Sequence, residues 1–457
     1  MKRKYINIAL TAIASWWSVS MNSQQTMSLQ ELYDLAEKES RQIHVSKIGL
    51  ESASEAIDAA KSAMLPIVNL SMSESYIGNA TLMSRGFSTS GTSDVIVAGL
   101  GPQKVTNGSQ KTPHWGNSFT AQAYQMVYAG GAISAGIRLA ELSRKMAFLD
   151  MEKNRQEVRF LLTGYFLDIY KIQNQLEVID RNLELIERVM EQMKARHAEG
   201  MVLKRDITRY ELQQQQMELT RKKLEDALEV INHQLVNTLH QPEDSQLLPD
   251  KGALDAAYQQ LKNVYNQEMW QEIAYENHIG LRQTEVSADM AAEKMKTVKA
   301  GTRLNVSLVF EDNLFGPFTN DLIPVNSNVN VWYVGVGLKY NLSSLWTSKH
   351  KLAKARLDMM ESQEKVSMVR EEVENSIQAC YVNFLTGYKE VSTAEKQVEL
   401  ANENYSVVEK RYHNGLSLLT DMLDASVTKF ATEMDLVNAH LNMLYNYYKL
   451  KYVSCTL

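Results

Sequence analysis

"RYHNGLSLLTDMLDA", residues 411–425, breaks a long helical pattern at Gly415 and sets Asp421 and Asp424 three residues apart before the pattern resumes. "RHAEGMVLKRDITRY", residues 196–210, follows the same plan. Arg196 and Arg411, Gly200 and Gly415, Leu203 and Leu418, and Asp206 and Asp421 are each 215 residues apart. A glycine between two helical runs supports a conformation that other residues adopt only at a cost. Each stretch is therefore expected to be the turn of a helical hairpin, and the recurrence points to an internal duplication.

Outward from the two glycines the helices carry heptads. Leu176, Ile179, Leu183, Ile186, Met190 and Met193 alternate spacings of three and four. So do Val391, Ala394, Val398, Ala401, Tyr405, Val408 and Tyr412, and so do Val427, Phe430, Met434, Val437, Leu441, Leu444 and Tyr448. After Gly200 a seam runs through Ile207, Tyr210, Met217, Leu224, Leu228, Ile231 and Leu235, with Gln214 and Arg221 as polar interruptions. Such spacing specifies coiled coils. The expected helices cover about 28–65 (ended by Pro66), 132–198, 204–240, 267–299, 348–412 and a last one to about Val453. The longest would span roughly 100 Å at about 1.5 Å per residue. Only seven prolines punctuate the 457 residues, in keeping with long helices.

"QPEDSQLLPDKG", residues 241–252, separates the halves. Residues 24–250 are read as the first structural repeat and 251–457 as the second. Residues 1–23 read as a signal peptide: Lys2, Arg3 and Lys4 precede an apolar run, followed by small residues at Ser18 and Ser20. No later run is long and apolar enough for a membrane-spanning helix.

Four segments, near 67–77, 117–128, 302–311 and 329–341, alternate instead. Val68, Leu70 and Met72 alternate with Asn69, Ser71 and Ser73; Phe119, Ala121 and Ala123 with Ser118, Thr120 and Gln122. Val306, Leu308 and Phe310 alternate with Asn305 and Ser307; Trp332, Val334, Val336 and Leu338 with Tyr333, Gly335 and Gly337. The polar stretches 84–117 and 311–328 between them read as extracellular loops. Period-two strands of this length suit an outer-membrane barrel. A four-stranded sheet packed on helices is the other reading. Four strands leave edges that lipid does not tolerate, so a membrane-embedded chain would close its barrel with other copies.

The chain resembles the TolC-like outer-membrane efflux family. The closest match is "RYHNGLSLLTDMLDASVTKFATEMDLVNAHLNMLYNYYKL", with weaker ones in "AMLPIVNLSMS" and "YAGGAISAGIRLAELSRK". The resemblance implies an α+β membrane protein of the outer membrane, a homotrimer. Four strands per chain would form a 12-stranded transmembrane β-barrel continuous with a long periplasmic α-helical coiled-coil barrel. It implies an exit duct working with a periplasmic adaptor (membrane fusion) protein and an inner-membrane transporter of RND or ABC type. Small toxic compounds are the expected cargo, and a type I protein-secretion duct is the alternative.

The resemblance also assigns sites. Gly200 and Gly415 would mark the tip turns where the adaptor docks. Asp421 and Asp424 would form the channel constriction, two rings of three carboxylates that favour cations; without the resemblance they read as solvated or helix-starting carboxylates. Asp206 and Tyr412 match a polar latch between neighbouring coiled coils. The family pattern has an arginine where Ser417 stands, and Arg205 is the expected substitute. The formal charge of −6 carries no basic stripe for nucleic acid. The sequence holds no catalytic, metal or cofactor motif, so no enzyme activity is expected. A secreted coiled-coil adaptor or scaffold without a barrel is the remaining alternative from another class.

Overall fold

The computed structural model describes residues 24–76, 95–97, 101–103, 114–242, 245–250, 252, 266–316, 318–319, 324–325 and 328–457. The expected signal peptide, and most of the first expected extracellular loop, lie outside the described residues. In chain order the elements are β1 (Gln24–Met27), α1 (Leu29–Glu39), α2 (Arg41–Ser62), β2 (Ile67–Tyr76), β3 (Val95–Val97), β4 (Gly101–Gln103), β5 (Trp115–Ala129), α3 (Ala132–Ala198) and α4 (Lys204–Thr238). There follow β6 (Gln246–Pro249), α5 (Gln267–Asn277), α6 (Ile279–Ala300), β7 (Asn305–Gly316), β8 (Phe318–Thr319), β9 (Pro324–Val325), β10 (Val329–Lys339), α7 (Ser344–His413) and α8 (Leu419–Val453). The chain divides into two compact units. One comprises the residues up to Ser54, Leu142–Met290 and Met360–Leu457; the other comprises Glu55–Glu141 and Ala291–Met359.

In the helical unit the heptad seams supply the core. Ile179, Ile186, Met190, Met193, Ile207, Tyr210, Met217, Tyr405, Leu441 and Leu444 are all buried. The long helices bury more than a two-helix seam. Ile169, Ile172, Val178 and Val189 of α3 are buried as well, because α3 bonds to α8 through Gln175 Nε2 to Asn438 Oδ1 (3.0 Å) and Asn182 Nδ2 to Glu433 Oε2 (2.9 Å). Val427, expected in the α8 seam, is instead 40% exposed. A 3.6-residue helix drifts off a strict heptad, and the drift carries this position out of the core. A short parallel ribbon of β1 on β6 also belongs to this unit. Asn232 of α4 holds β6 by donating from Nδ2 to the Ser245 carbonyl and accepting from the Leu247 amide.

The single helices expected at about 28–65 and 267–299 are each broken. Ser40 leaves the helical region with ψ 121° and His278 with ψ 112°. Each still donates its amide four residues back, to Ala36 and Ala274, while its carbonyl starts the next helix at His44 and Arg282. His278 also caps α6, its Nδ1 accepting the Leu281 amide at 3.1 Å. The first break docks α1 as a separate element. Leu32, Tyr33 and Ala36 are buried, and Arg155 of α3 grips Glu37 with Nε and Nη2 at 2.8 and 2.7 Å.

The second unit is built on a four-stranded antiparallel sheet of order β10-β7-β5-β2. Register sorts its side chains into two faces. Leu70, Ala121, Asp312 and Trp332 align across the strands, as do Val68, Ala123, Phe310 and Val334. On the other face Asn69, Gln122, Glu311 and Tyr333 align, with Tyr333 Oη donating to Glu311 at 2.6 Å. The apolar face is open, with Met72 79% exposed and Leu70, Val334, Val336 and Leu338 exposed beside it. A sheet packed on helices would cover that face, so the alternative reading fails. β7 runs on to Gly316 and β5 begins at Trp115, so the outermost residues assigned to loops belong to strands. Glu311, Asp312 and Asn313 pair with β5 on one side and β10 on the other, and those ladder bonds override their weak strand propensity. Gly130 (φ +66°) closes the turn from β5 into α3, where a Cβ would lie 2.5 Å from the Ala300 carbonyl oxygen.

Candidate functional site at the paired hairpin turns

Both glycine turns are Schellman motifs. Gly200 (φ +77°) donates its amide to the His197 carbonyl at 2.9 Å, and Met201 donates to Arg196 at 2.9 Å. Gly415 (φ +70°) donates to Tyr412 at 3.0 Å, and Leu416 donates to Arg411 at 2.8 Å. The bonds close orphan carbonyls at the helix ends, and the left-handed residue lets the chain reverse. Each exit helix then starts behind an extended leucine, Leu203 and Leu418. The turns also expose Met201 and Leu203 in one hairpin and Leu416 and Leu418 in the other, Leu418 to 70%. Sequence reasoning missed this apolar set; the leucine recurrence was its one visible sign.

The aspartates that match in sequence differ in setting. Asp421 Oδ2 accepts the Leu418 amide at 3.1 Å and the Ser417 hydroxyl at 3.0 Å, so it caps α8. Asp424 lies one turn on, exposed on the same face, while Met422 and Ala425 face the core. Within one chain the structure places Asp421 and Asp424 together on an open surface. Asp206, by contrast, is largely enclosed, and its Oδ1 lies 3.6 Å from Nε of the exposed Arg205.

Asp206 and Tyr412 lie near enough for the Asp206 charge to act on the Tyr412 phenol. The Tyr412 phenol is raised above its ordinary range chiefly by burial; the Arg196 guanidinium draws it back, and the Asp206 charge pushes it up again. Arg196 is the residue that sequence reasoning passed over. Its Cζ stands 5.9 Å from the Tyr412 ring centroid, and its Nη2 is 3.2 Å from His413 Nδ1. Arg205, the expected substitute, stays on its own hairpin beside Asp206. Beneath this layer Tyr210 is 1% exposed, and its hydroxyl has no hydrogen-bond partner among the described residues. Burial pushes the phenols of Tyr210 and Tyr405 well up, and Tyr405 Oη donates to Glu409 at 3.4 Å.

The sequence pattern of the outer membrane efflux proteins matches residues 32–237 and 273–453. The chain belongs to that family. Among curated relatives, outer membrane protein TolC of Salmonella enteritidis is 20% identical over 445 residues, covering 95% of this chain and 83% of TolC. Among solved structures, the outer membrane protein VceC of Vibrio cholerae is similar with a TM-score of 0.72 at 14% identity, covering 93% of this chain and 95% of VceC. The CmeC outer membrane channel of Campylobacter jejuni gives a TM-score of 0.70 at 15% identity, covering 96% of this chain and 90% of CmeC. As a member of the efflux family the chain is an outer-membrane protein with a periplasmic extension, which sets aside the secreted scaffold without a barrel. Its mostly helical fold with an antiparallel sheet is that of the family's channels.

Proposed function

We propose that this efflux-family protein is the outer-membrane exit duct of a tripartite pump, passively conducting small toxic compounds to the exterior. Three copies close the barrel, the free edge of β2 pairing antiparallel with the free edge of β10 in the next copy to give 12 strands. One observation carries this: among the described residues the four-stranded sheet has an uncovered apolar face and two edges without a partner strand, an arrangement lipid accepts only in a closed barrel. The two halves, 24–250 and 251–457, are the products of a duplication, and each contributes one hairpin turn to a periplasmic tip. A periplasmic adaptor docks at the turns of Gly200 and Gly415, where the exposed Met201, Leu203, Leu416 and Leu418 supply apolar contact. The adaptor links the duct to an RND or ABC transporter, the source of energy for export. In the trimer Asp421 and Asp424 form two carboxylate rings at the constriction, and Asp206 with Tyr412 forms part of the latch.

Conductance of the purified trimer in a planar bilayer tests this. A small, cation-selective conductance is expected, blocked by multivalent cations from the tip side and relieved in Asp421→Ala/Asp424→Ala. Asp206→Ala raises the resting conductance. A conductance indifferent to the paired substitution removes the constriction and leaves the duct. An assembled trimer without any channel overturns the duct.

A further inference from the structure

The two halves correspond residue by residue. Early in each half, α1 and α5, α2 and α6, and the first residues of β2 and β7 all stand 238 residues apart, as do the breaks at Ser40 and His278. Later the separation is 215, and it carries the core of α3 onto that of α7: Val158, Leu162 and Ile169 are buried, and so are Val373, Ile377 and Phe384. A contact made by one member of such a pair inside the chain therefore shows what the other member is shaped to do.

α6 packs on α3. Ile279 and Val286 are buried in one cluster with Leu149, and the nearly enclosed Glu293 faces Arg138 of α3 at 3.9 Å. The matching face of α2 is bare. Ile48, the counterpart of Val286, is 53% exposed, and Arg41 and Glu55, the counterparts of Ile279 and Glu293, are exposed with it. α2 already has the α3 of its own half beside it, Asn154 Nδ2 donating to Ser46 Oγ at 2.7 Å. What it lacks is a helix from a preceding half, which is an α7. The matching face of α7 is bare too. Glu364, the counterpart of Leu149, is exposed. The counterpart of Arg138 is Ala353, with exposed Lys349 and Arg356 one turn to either side. The charges are complementary: Arg41 against Glu364, and Glu55 against Lys349 and Arg356. α2 runs into β2 and α7 follows β10, so both bare faces continue the strand edges that meet between copies. We infer that α2 of each copy packs on α7 of its neighbour as α6 packs on α3 within the chain, with Arg41 facing Glu364 and Glu55 facing Lys349 and Arg356. This rests on the duct reading above and names the helical surface through which its copies join.

The experiment treats the full chain in membranes with a short bismaleimide. Arg41→Cys/Glu364→Cys should give a covalent ladder up to the trimer on denaturing gels. Either single variant should give none, and neither should Arg41→Cys/Glu399→Cys, whose second site lies far down α7. Charge reversal is the second measurement. Three pairs at about twofold each make Arg41→Glu dissociate in detergent roughly tenfold faster, and adding Glu364→Arg restores the wild-type rate. An assembled Arg41→Cys/Glu364→Cys trimer without the ladder overturns the pairing and leaves the duct, as does a reversal that Glu364→Arg does not rescue. Free thiol labelling of Arg41→Cys in the trimer, shielded only when a periplasmic adaptor is added, gives this face to the adaptor and also overturns the pairing. A wild-type chain that stays monomeric in lipid and never conducts overturns the duct reading itself.

Discussion

Gly415→Ala isolates the backbone contribution at a hairpin turn. A Cβ built at Gly415 meets no atom within 4 Å, as at Gly200, so no side-chain clash adds to the effect. What remains is φ at +70°, where an L-residue is disfavoured by about 1–2 kcal/mol. The population of the frayed turn should rise by the matching factor, roughly 5- to 30-fold. Hydrogen–deuterium exchange reads this at the Leu416 amide, which donates to the Arg411 carbonyl at 2.8 Å and exchanges when the turn opens. Gly415→Asn should accelerate exchange less, because asparagine tolerates the left-handed region better. Gly136→Ala is the control: it has open space around it and no positive φ, so it should leave Leu416 exchange unchanged and stabilise its helix by up to about 1 kcal/mol. Unchanged Leu416 exchange in Gly415→Ala, or equal acceleration by Ala and Asn, refutes the conformational argument. Acceleration by several hundredfold refutes the open-space argument instead.

Other outcomes follow from single contacts. Burial alone would raise the Glu37 carboxyl, yet Arg155 and Lys47 together hold it below the usual carboxylate range. Its contribution to docking α1 is therefore complete above the unfolded carboxylate pKa and fades as pH falls through the lower folded value. Exchange of residues 29–39, corrected for intrinsic rates, should accelerate across that acid window in wild type. In Glu37→Gln it should be faster at neutral pH, by about 1 kcal/mol of lost protection, and lack the acid step. Gly130→Ala should be far worse than Gly415→Ala, because its Cβ would lie 2.5 Å from the Ala300 backbone oxygen as well as at positive φ. The yield of the proposed trimer, read by heat-modifiable mobility on gels, should fall sharply, and a normal yield would show that the turn from β5 into α3 can shift.

The periodic features were legible in the chain alone, because period is a property of local backbone geometry. Heptads announced α3, α4, α7 and α8; alternation announced the two faces of the sheet; the 215-residue recurrence announced two matching turns. The breaks at Ser40 and His278 were invisible. Neither residue is a glycine or proline, and each break is one ψ rotation that lets a short helix dock. The turns split the same way. Gly200 and Gly415 declare themselves because positive φ is a single-residue requirement. The partners of Tyr412 do not, since Arg205 and Arg196 are equally plausible in sequence and only packing chooses between them. Arg196 and His413 are 217 residues apart and touch because α3 and α7 end at the same level. Asp206 and Asp421, alike in sequence, part company for the same reason: one is half-buried where its charge acts on Tyr412, and the other caps its own helix on an open face. Local chemistry wrote the elements, and the side-chain partnerships across them came from tertiary packing, which no single segment encodes.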